Sequence, residues 1–117
     1  MDSNKIGKMG EKNACAFLKK NGYKILKRNY RKKYGEVDII AKKQNLISFF
    51  EVKTRDNTEY GLACEAVTKS KQEKIIKTAQ TFILENRLDG DFTFDIIEIY
   101  HKNGNIQKIE HIENAFF

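Results

Sequence analysis

The segment LISFFEVKT, residues 46–54, constrains the fold more than any other stretch of the chain. Ile47, Phe49, Phe50 and Val52 make a near-continuous apolar run, rich in the branched and aromatic residues that suit a strand. A strand with one wet face alternates apolar and polar residues; a continuous run is covered on both faces, as in the middle of a sheet with helices on either side. The rest of the sequence supplies such covers. Residues 4–21 carry Ile6, Met9, Ala14, Phe17 and Leu18 at helical spacing, with Lys5, Lys8, Lys12 and Lys19 on the opposite stripe. Ser3 or Asn4 can cap this helix, and Asn21-Gly22 stops it. Residues 69–88 form a second helix with Ile75, Ile76, Ala79, Phe82 and Ile83 on its apolar face. Thr68 or Ser70 caps it, and Ser70 with Glu73 can make a capping box.

The remaining strands follow from period-two patterning and turn residues. Tyr23–Arg31 and Glu36–Ala41 precede the central strand, with Gly35 marking the first turn and Lys42–Asn45 the second. Residues 55–67 read as irregular, around Gly61. Phe92–His101 and Ile106–Ile112 form a closing hairpin about Lys102-Asn103-Gly104-Asn105. The order is αβββαββ, and 117 residues suit one domain. The expected fold is α/β, a mixed five-stranded sheet with a helix on each face.

Charge is distributed unevenly. Residues 1–34 hold eleven Lys and Arg against two acids, whereas residues 89–117 hold two against six; the whole chain is +6. A basic region this dense attracts polyanions, nucleic acid first, although it also serves as a solvated surface. Lys24, Lys27, Arg28, Arg31, Lys32 and Lys33 are the expected backbone-binding residues, and Tyr30 and Tyr34 among them can stack on bases or simply pack. No apolar run reaches membrane-spanning length, and the N-terminus lacks a secretory pattern. Two cysteines, Cys15 and Cys64, support neither a disulfide scaffold nor a four-cysteine zinc site, so a reduced cytoplasmic setting is expected. His101 and His111 lack metal-motif spacing and read as surface residues.

The chemistry is concentrated in Gly35-Glu36-Val37-Asp38 and Phe50-Glu51-Val52-Lys53. With Gln44-Asn45 as a two-residue turn, Asp38 falls opposite Glu51 and Glu36 opposite Lys53. Opposed residues have Cβ atoms ~5 Å apart. Glu51 and Lys53 share one face because side chains alternate. Adjacent carboxylates beside a buried strand are costly unless paired or metal-bound. A hard divalent cation relieves both costs; the alternative is a structural ion network in which Lys53 bridges the two acids. Glu11 sits at the edge of the first helix's apolar face, where it can complete a metal site with Asp38 and Glu51. Gln72 has a comparable position on the second helix.

Asp38 followed by Glu51-Val52-Lys53 resembles the PD-(D/E)xK nuclease motif. Together with Gly10-Glu11-Lys12-Asn13-Ala14, Asn29-Tyr30-Arg31, Gly35-Glu36-Val37-Asp38-Ile39-Ile40, Phe50-Glu51-Val52-Lys53-Thr54-Arg55 and Ala66-Val67-Thr68 with Lys71, it resembles the UPF0102 family of small bacterial proteins over roughly residues 5–100. That family is similar to archaeal Holliday junction resolvases and other restriction-endonuclease-like folds. The resemblance implies an α/β/α core in which Glu11, Asp38, Glu51 and Lys53 form the active site. Ala63 departs from the family's frequent Pro, a matter of loop stiffness.

The function expected is Mg²⁺- or Mn²⁺-dependent hydrolysis of phosphodiester bonds in nucleic acid, DNA before RNA, with branched DNA as the structure-specific form. Asp38 and Glu51 hold the metal, Glu11 adds a ligand, and Lys53 orients the attacking water or stabilises developing charge. Arg55 joins the nucleic-acid-binding set; Glu36, Lys71 and Gln72 are auxiliary. Junction-cutting relatives imply a homodimer. The rival functions are a non-catalytic nucleic-acid-binding module of the same fold and an adaptor working through the acidic C-terminal strands.

Overall fold

The computed structural model describes residues 3–56 and 67–116. Gly61, Ala63, Cys64 and Ala66 lie outside them. The elements are α1 (Ser3–Lys20), β1 (Lys24–Lys32), β2 (Gly35–Lys43), β3 (Leu46–Asp56), α2 (Lys69–Glu85), β4 (Asp91–Lys102) and β5 (Asn105–Phe116). They form one five-stranded sheet in the order β1-β2-β3-β4-β5. All neighbours are antiparallel except β3 and β4, which run parallel and are joined through α2. The α/β class, the mixed sheet and the element order are those expected from the sequence.

The two helix ends differ instructively. α1 ends where Asn21-Gly22 said it would. Gly22 takes a positive φ of 90°, and Tyr23 N–H returns to the Leu18 carbonyl at 2.9 Å. α2 stops at Glu85, three residues earlier than its apolar pattern suggests. The same motif closes it with Arg87 in the left-handed position (φ 51°), and Leu88 N–H bonds the Ile83 carbonyl at 3.0 Å. A positive φ at Arg is uncommon, so nothing in the residue type announced the stop. At the other end Thr68 is the cap, its hydroxyl accepting from Lys71 N–H at 3.2 Å.

Each helix covers one sheet face. Ala14, Cys15 and Leu18 of α1 pack with Tyr23, Ile39, Ala41, Phe50, Ile97 and Ile99. Ile75, Ala79 and Phe82 of α2 pack with Tyr30, Val37, Ile40, Ile47, Phe49 and Ile96. Phe49 and Phe50 point to opposite faces and are both fully buried, as the continuous apolar run required. Burial also pushes the Cys15 thiol up from its ordinary value, which suits an inert packing residue.

Several local expectations are corrected. Gly35 opens β2, and the turn before it is Lys33-Tyr34. Arg55 and Asp56 belong to β3 instead of an irregular segment. Neither histidine is a fully exposed surface residue. His101 is buried, with Nδ1 accepting from Gly104 N–H at 3.4 Å, and His111 Nε2 lies 2.7 Å from Oδ2 of the buried Asp95. Tyr30 and Tyr34 pack: their hydroxyls meet Glu85 and Thr81 of α2, and the Lys77 ammonium lies 4.7 Å from the Tyr34 ring centre.

Candidate active site

The register between β2 and β3 is the one derived from a two-residue Gln44-Asn45 turn: Lys43 pairs with Leu46, and the ladder climbs to Ile39 opposite Phe50. There the two strands part. The next residues are Asp38 and Glu51, at the mouth of the gap. Val52 N–H, which a continued ladder would pair with backbone, donates instead to Asp38 Oδ2 at 2.8 Å. A carboxylate thus ends the ladder and is fixed by the strand it faces.

Two glycines let the helices close on this gap from opposite faces. A Cβ at Gly10 of α1 would run into Thr54 Oγ1 on β3. A Cβ at Gly35 would lie 2.9 Å from the Lys74 carbonyl oxygen and 2.7 Å from Thr78 Oγ1 on α2. In both places a side chain would force a neighbour to shift. The glycines set how near Glu11, beside Gly10, and Lys71 and Lys74, in the first turns of α2, come to the parted strands.

The result is a cleft with Asp38 at its centre. On the α2 side, Asp38 and Glu51 line a cavity of about 350 Å³ with Gly35, Glu36, Lys71, Lys74 and Ile75. On the α1 side, Asp38 lines another with Gly7, Lys8, Glu11, Asn29, Arg31 and Glu36. A third, along the rest of β3, holds Lys53 with Glu51, Lys71 and Ile6. Asp38 is therefore shared between Glu11 and Glu51, and Glu51 between Asp38 and Lys53. Alternation along the unbroken strand keeps Glu51 and Lys53 on one face. Among the described residues, no three His, Cys, Asp or Glu side chains converge tightly enough to hold a metal ion. The expected three-acid cluster is thus spread across two sides of Asp38.

The electrostatics follow from this crowding. Burial, then the neighbouring Glu51, push the Asp38 carboxyl up to about 8; Glu11 and Glu36 push the same way, and the Val52 hydrogen bond opposes them. Glu51, itself buried, has its Oε1 2.6 Å from Lys71 Nζ. Lys71 thus pairs with Glu51 alone, and the bridge between the two acids expected of Lys53 as the structural alternative is not among the ion pairs of the described residues.

The remaining expected residues are placed as follows. Lys24, Lys27, Arg28, Arg31 and Lys33 are exposed on or just beyond β1, an edge strand. Arg31 pairs with Glu36 at 3.1 Å and so joins this basic edge to the cleft, while Lys32 pairs with Glu85 of α2 at 2.9 Å. Gln72 is turned away, its Nε2 donating to the Val67 carbonyl at 3.0 Å. Arg55 is a correction. It is buried against the fully buried Glu98 of β4 and has no place on an exposed nucleic-acid surface: the parallel register pairs Arg55 with Tyr100 and Lys53 with Glu98, which leaves Glu98 as the diagonal neighbour of Arg55 on the same face.

The uncharacterised protein family UPF0102 matches residues 10–99, a span that contains the acids and lysines at the centre of the cleft. The chain belongs to the UPF0102 family. A UPF0102 protein of Chloroherpeton thalassium is 55% identical over 95 residues, covering 80% of this chain and 74% of the relative. One from a Sulfurihydrogenibium species is 49% identical over 117 residues, 99% of this chain and 97% of the relative. One from Caldanaerobacter subterraneus is 46% identical over 114 residues, covering 95% and 93%. In this UPF0102 protein the family match takes in Glu11, Asp38, Glu51, Lys53 and Lys71 together. Among the described residues no helix is long and apolar enough to cross a membrane.

Proposed function

We propose that this UPF0102 protein is a metal-dependent nuclease that hydrolyses phosphodiester bonds of nucleic acid, with branched DNA the form favoured by its resemblance to junction resolvases. The observation that carries the reading is the meeting of Asp38 and Glu51 in one cavity where β2 and β3 part. Burial and the neighbouring Glu51 raise the cost of ionising Asp38, and a divalent cation such as Mg²⁺ or Mn²⁺ is a partner that lowers it. The donor set fits a hard ion. Both candidate ligands are carboxylates, and each has a second oxygen beyond those held by Val52 N–H and Lys71. Mg²⁺ takes one or two carboxylates and keeps water in its other positions.

When bound, the cation supplies Lewis-acid polarisation of the scissile phosphate. The chain's own residues do the rest. Asp38 and Glu51 would hold the ion, with Glu11 available on the α1 side of Asp38. Lys53 places a positive charge one step along β3, where it orients the attacking water or meets charge developing on phosphorus. Water oxygen bonds to phosphorus and gives up a proton to solvent, the bond from phosphorus to the leaving sugar oxygen breaks, and the leaving oxygen takes up a proton from solvent. Lys24, Lys27, Arg28, Arg31 and Lys33 hold the backbone by charge, without reading sequence.

A second reading, a binding module of the same fold that cuts nothing, is favoured by the spread of the three acids on two sides of Asp38. Cleavage of a panel of linear and branched DNA and RNA in Mg²⁺ and Mn²⁺ separates the two. Under the nuclease reading, Asp38→Asn and Glu51→Gln each lower turnover roughly a hundredfold or more and leave binding intact or tighter. Wild-type binding with no cleavage in either metal favours the module. Cleavage retained in both variants places the chemistry elsewhere.

A further inference from the structure

Lys71 is an unusual residue at its position. It stands in the first turn of α2, which contains no acid, and the positive end of the helix dipole disfavours a cation there. Helix stability alone therefore does not explain it. Its ammonium is 2.6 Å from Glu51 Oε1, and the two ends of the pair differ sharply: the Glu51 side chain is 9% exposed and that of Lys71 50%. The carboxylate is fixed on β3, whereas the lysine reaches in from solvent on a flexible stem. Lys71 and Glu51 also both line the two cavities that flank this point of β3. A buried carboxylate without a counter-charge is costly, so the folded chain needs some cation at Glu51 whether or not a metal is present.

We propose that Lys71 is that built-in counter-cation: it neutralises Glu51 in the metal-free protein, competes there with the divalent ion, and once displaced turns its ammonium to the substrate phosphate. The idea rests on the nuclease reading for the identity of the competing ion and of the phosphate. The exchange moves one positive charge from carboxylate to phosphodiester as a second charge arrives, so the cleft keeps its counter-charge throughout. Lysine suits the task better than arginine would, because it is a point charge on a mobile chain and not a rigid bidentate fork.

The test compares wild type, Lys71→Gln and Lys74→Gln in two titrations. Lys74 lines the same cavity, so its loss removes the same unit of charge and controls for the general field. In the first titration, with Mn²⁺ alone and heat as the readout, Lys71→Gln binds roughly three- to tenfold tighter than wild type, and Lys74→Gln gains clearly less. In the second, with labelled duplex and four-way-junction DNA in Ca²⁺, Lys71→Gln binds DNA more weakly than wild type. Equal Mn²⁺ affinity in wild type and Lys71→Gln, or equal gains in both variants, overturns the competition. Tighter Mn²⁺ binding with unchanged DNA affinity overturns the transfer to phosphate. If none of the three proteins binds Mn²⁺, the metal-site reading falls and the competition with it; Mn²⁺ binding that is blind to Lys71 leaves that reading standing and removes only this inference. A Lys71→Gln chain that folds poorly is replaced by Lys71→Met, which keeps the stem and loses the charge, with the same expected outcomes.

Discussion

Asp38 gives the cleft a pH signature that needs no substrate. Its carboxyl is held up at about 8, by burial first and by Glu51 next, whereas an unfolded chain releases the same proton near pH 4. Between those values the folded state binds more protons than the unfolded one, so this group's contribution falls as pH rises from about 4 to about 8. Asn is neutral at every pH, and its side-chain oxygen can still accept from Val52 N–H. In chelator-treated protein, Asp38→Asn should therefore melt higher than wild type at pH 8, with the difference vanishing near pH 4. Thermal melts across that range check it, and an Asn variant less stable at pH 8 would show that Asp38 is ionised and satisfied there. At this scale the sequence was informative where one turn decided the answer. A two-residue turn places Asp38 beside Glu51, and the observed ladder has that register. It named Lys71 only as an auxiliary residue and not as the partner of Glu51, because that approach depends on where α2 begins. It misled on Arg55, whose burial follows from Glu98 in a strand that only the parallel register brings alongside.

At the scale of elements, two close approaches hold the cleft, and they differ in how they can yield. At Gly35 the obstructing atoms are the Thr78 hydroxyl and the Lys74 backbone carbonyl, and the carbonyl cannot move unless α2 moves. At Gly10 the obstruction is the Thr54 hydroxyl, the end of a side chain that can rotate. Gly35→Ala should cost about 1–3 kcal/mol of stability, as overpacking does, and Gly10→Ala less. Denaturant titration of both variants measures the order, and a reversed order would mean that α1 is the more rigidly docked helix. Double substitution with Thr54→Ala should recover most of the Gly10→Ala loss but none of the Gly35→Ala loss. Element existence was readable from period and capping: the strong Asn21-Gly22 signal ended α1 correctly. α2 ended early because Arg87 adopts the left-handed conformation that glycine usually marks. The two cleft glycines were visible as residues but not as contacts. Gly35 looked like a turn, since a close approach between elements distant in sequence leaves no local pattern.

For the molecule as a whole, the basic residues of segment 24–33 come to lie along one edge of the sheet. β1 carries Lys24, Lys27 and Arg28, with Lys33 just beyond it, all exposed, and lies next to the strand that supplies Asp38. Lysine on an edge strand also guards against edge-to-edge pairing, so the measurement must separate the two roles. Changing Lys24, Lys27, Arg28 and Lys33 together to Gln should weaken binding to all DNA sequences alike. It should also lower the slope of log affinity against log salt by up to about 0.9 per lost phosphate contact. Unchanged affinity with increased self-association, read by light scattering, would assign these residues to solubility. The arrangement of strands has a further consequence, for how the chain reaches this structure. β1, β2 and β3 follow one another through short turns, and β4 and β5 form a hairpin, so each group can assemble locally. The parallel seam between β3 and β4 is different: its partners, such as Leu46 and Asp91, meet only after the intervening chain has closed a long loop. Loop-closure entropy is lost there before the seam's contacts form, which makes that closure the natural kinetic bottleneck of folding. Because the cleft lies on the β2–β3 side of the seam, its strands can be in place before the sheet is complete, while Lys71 arrives only with α2.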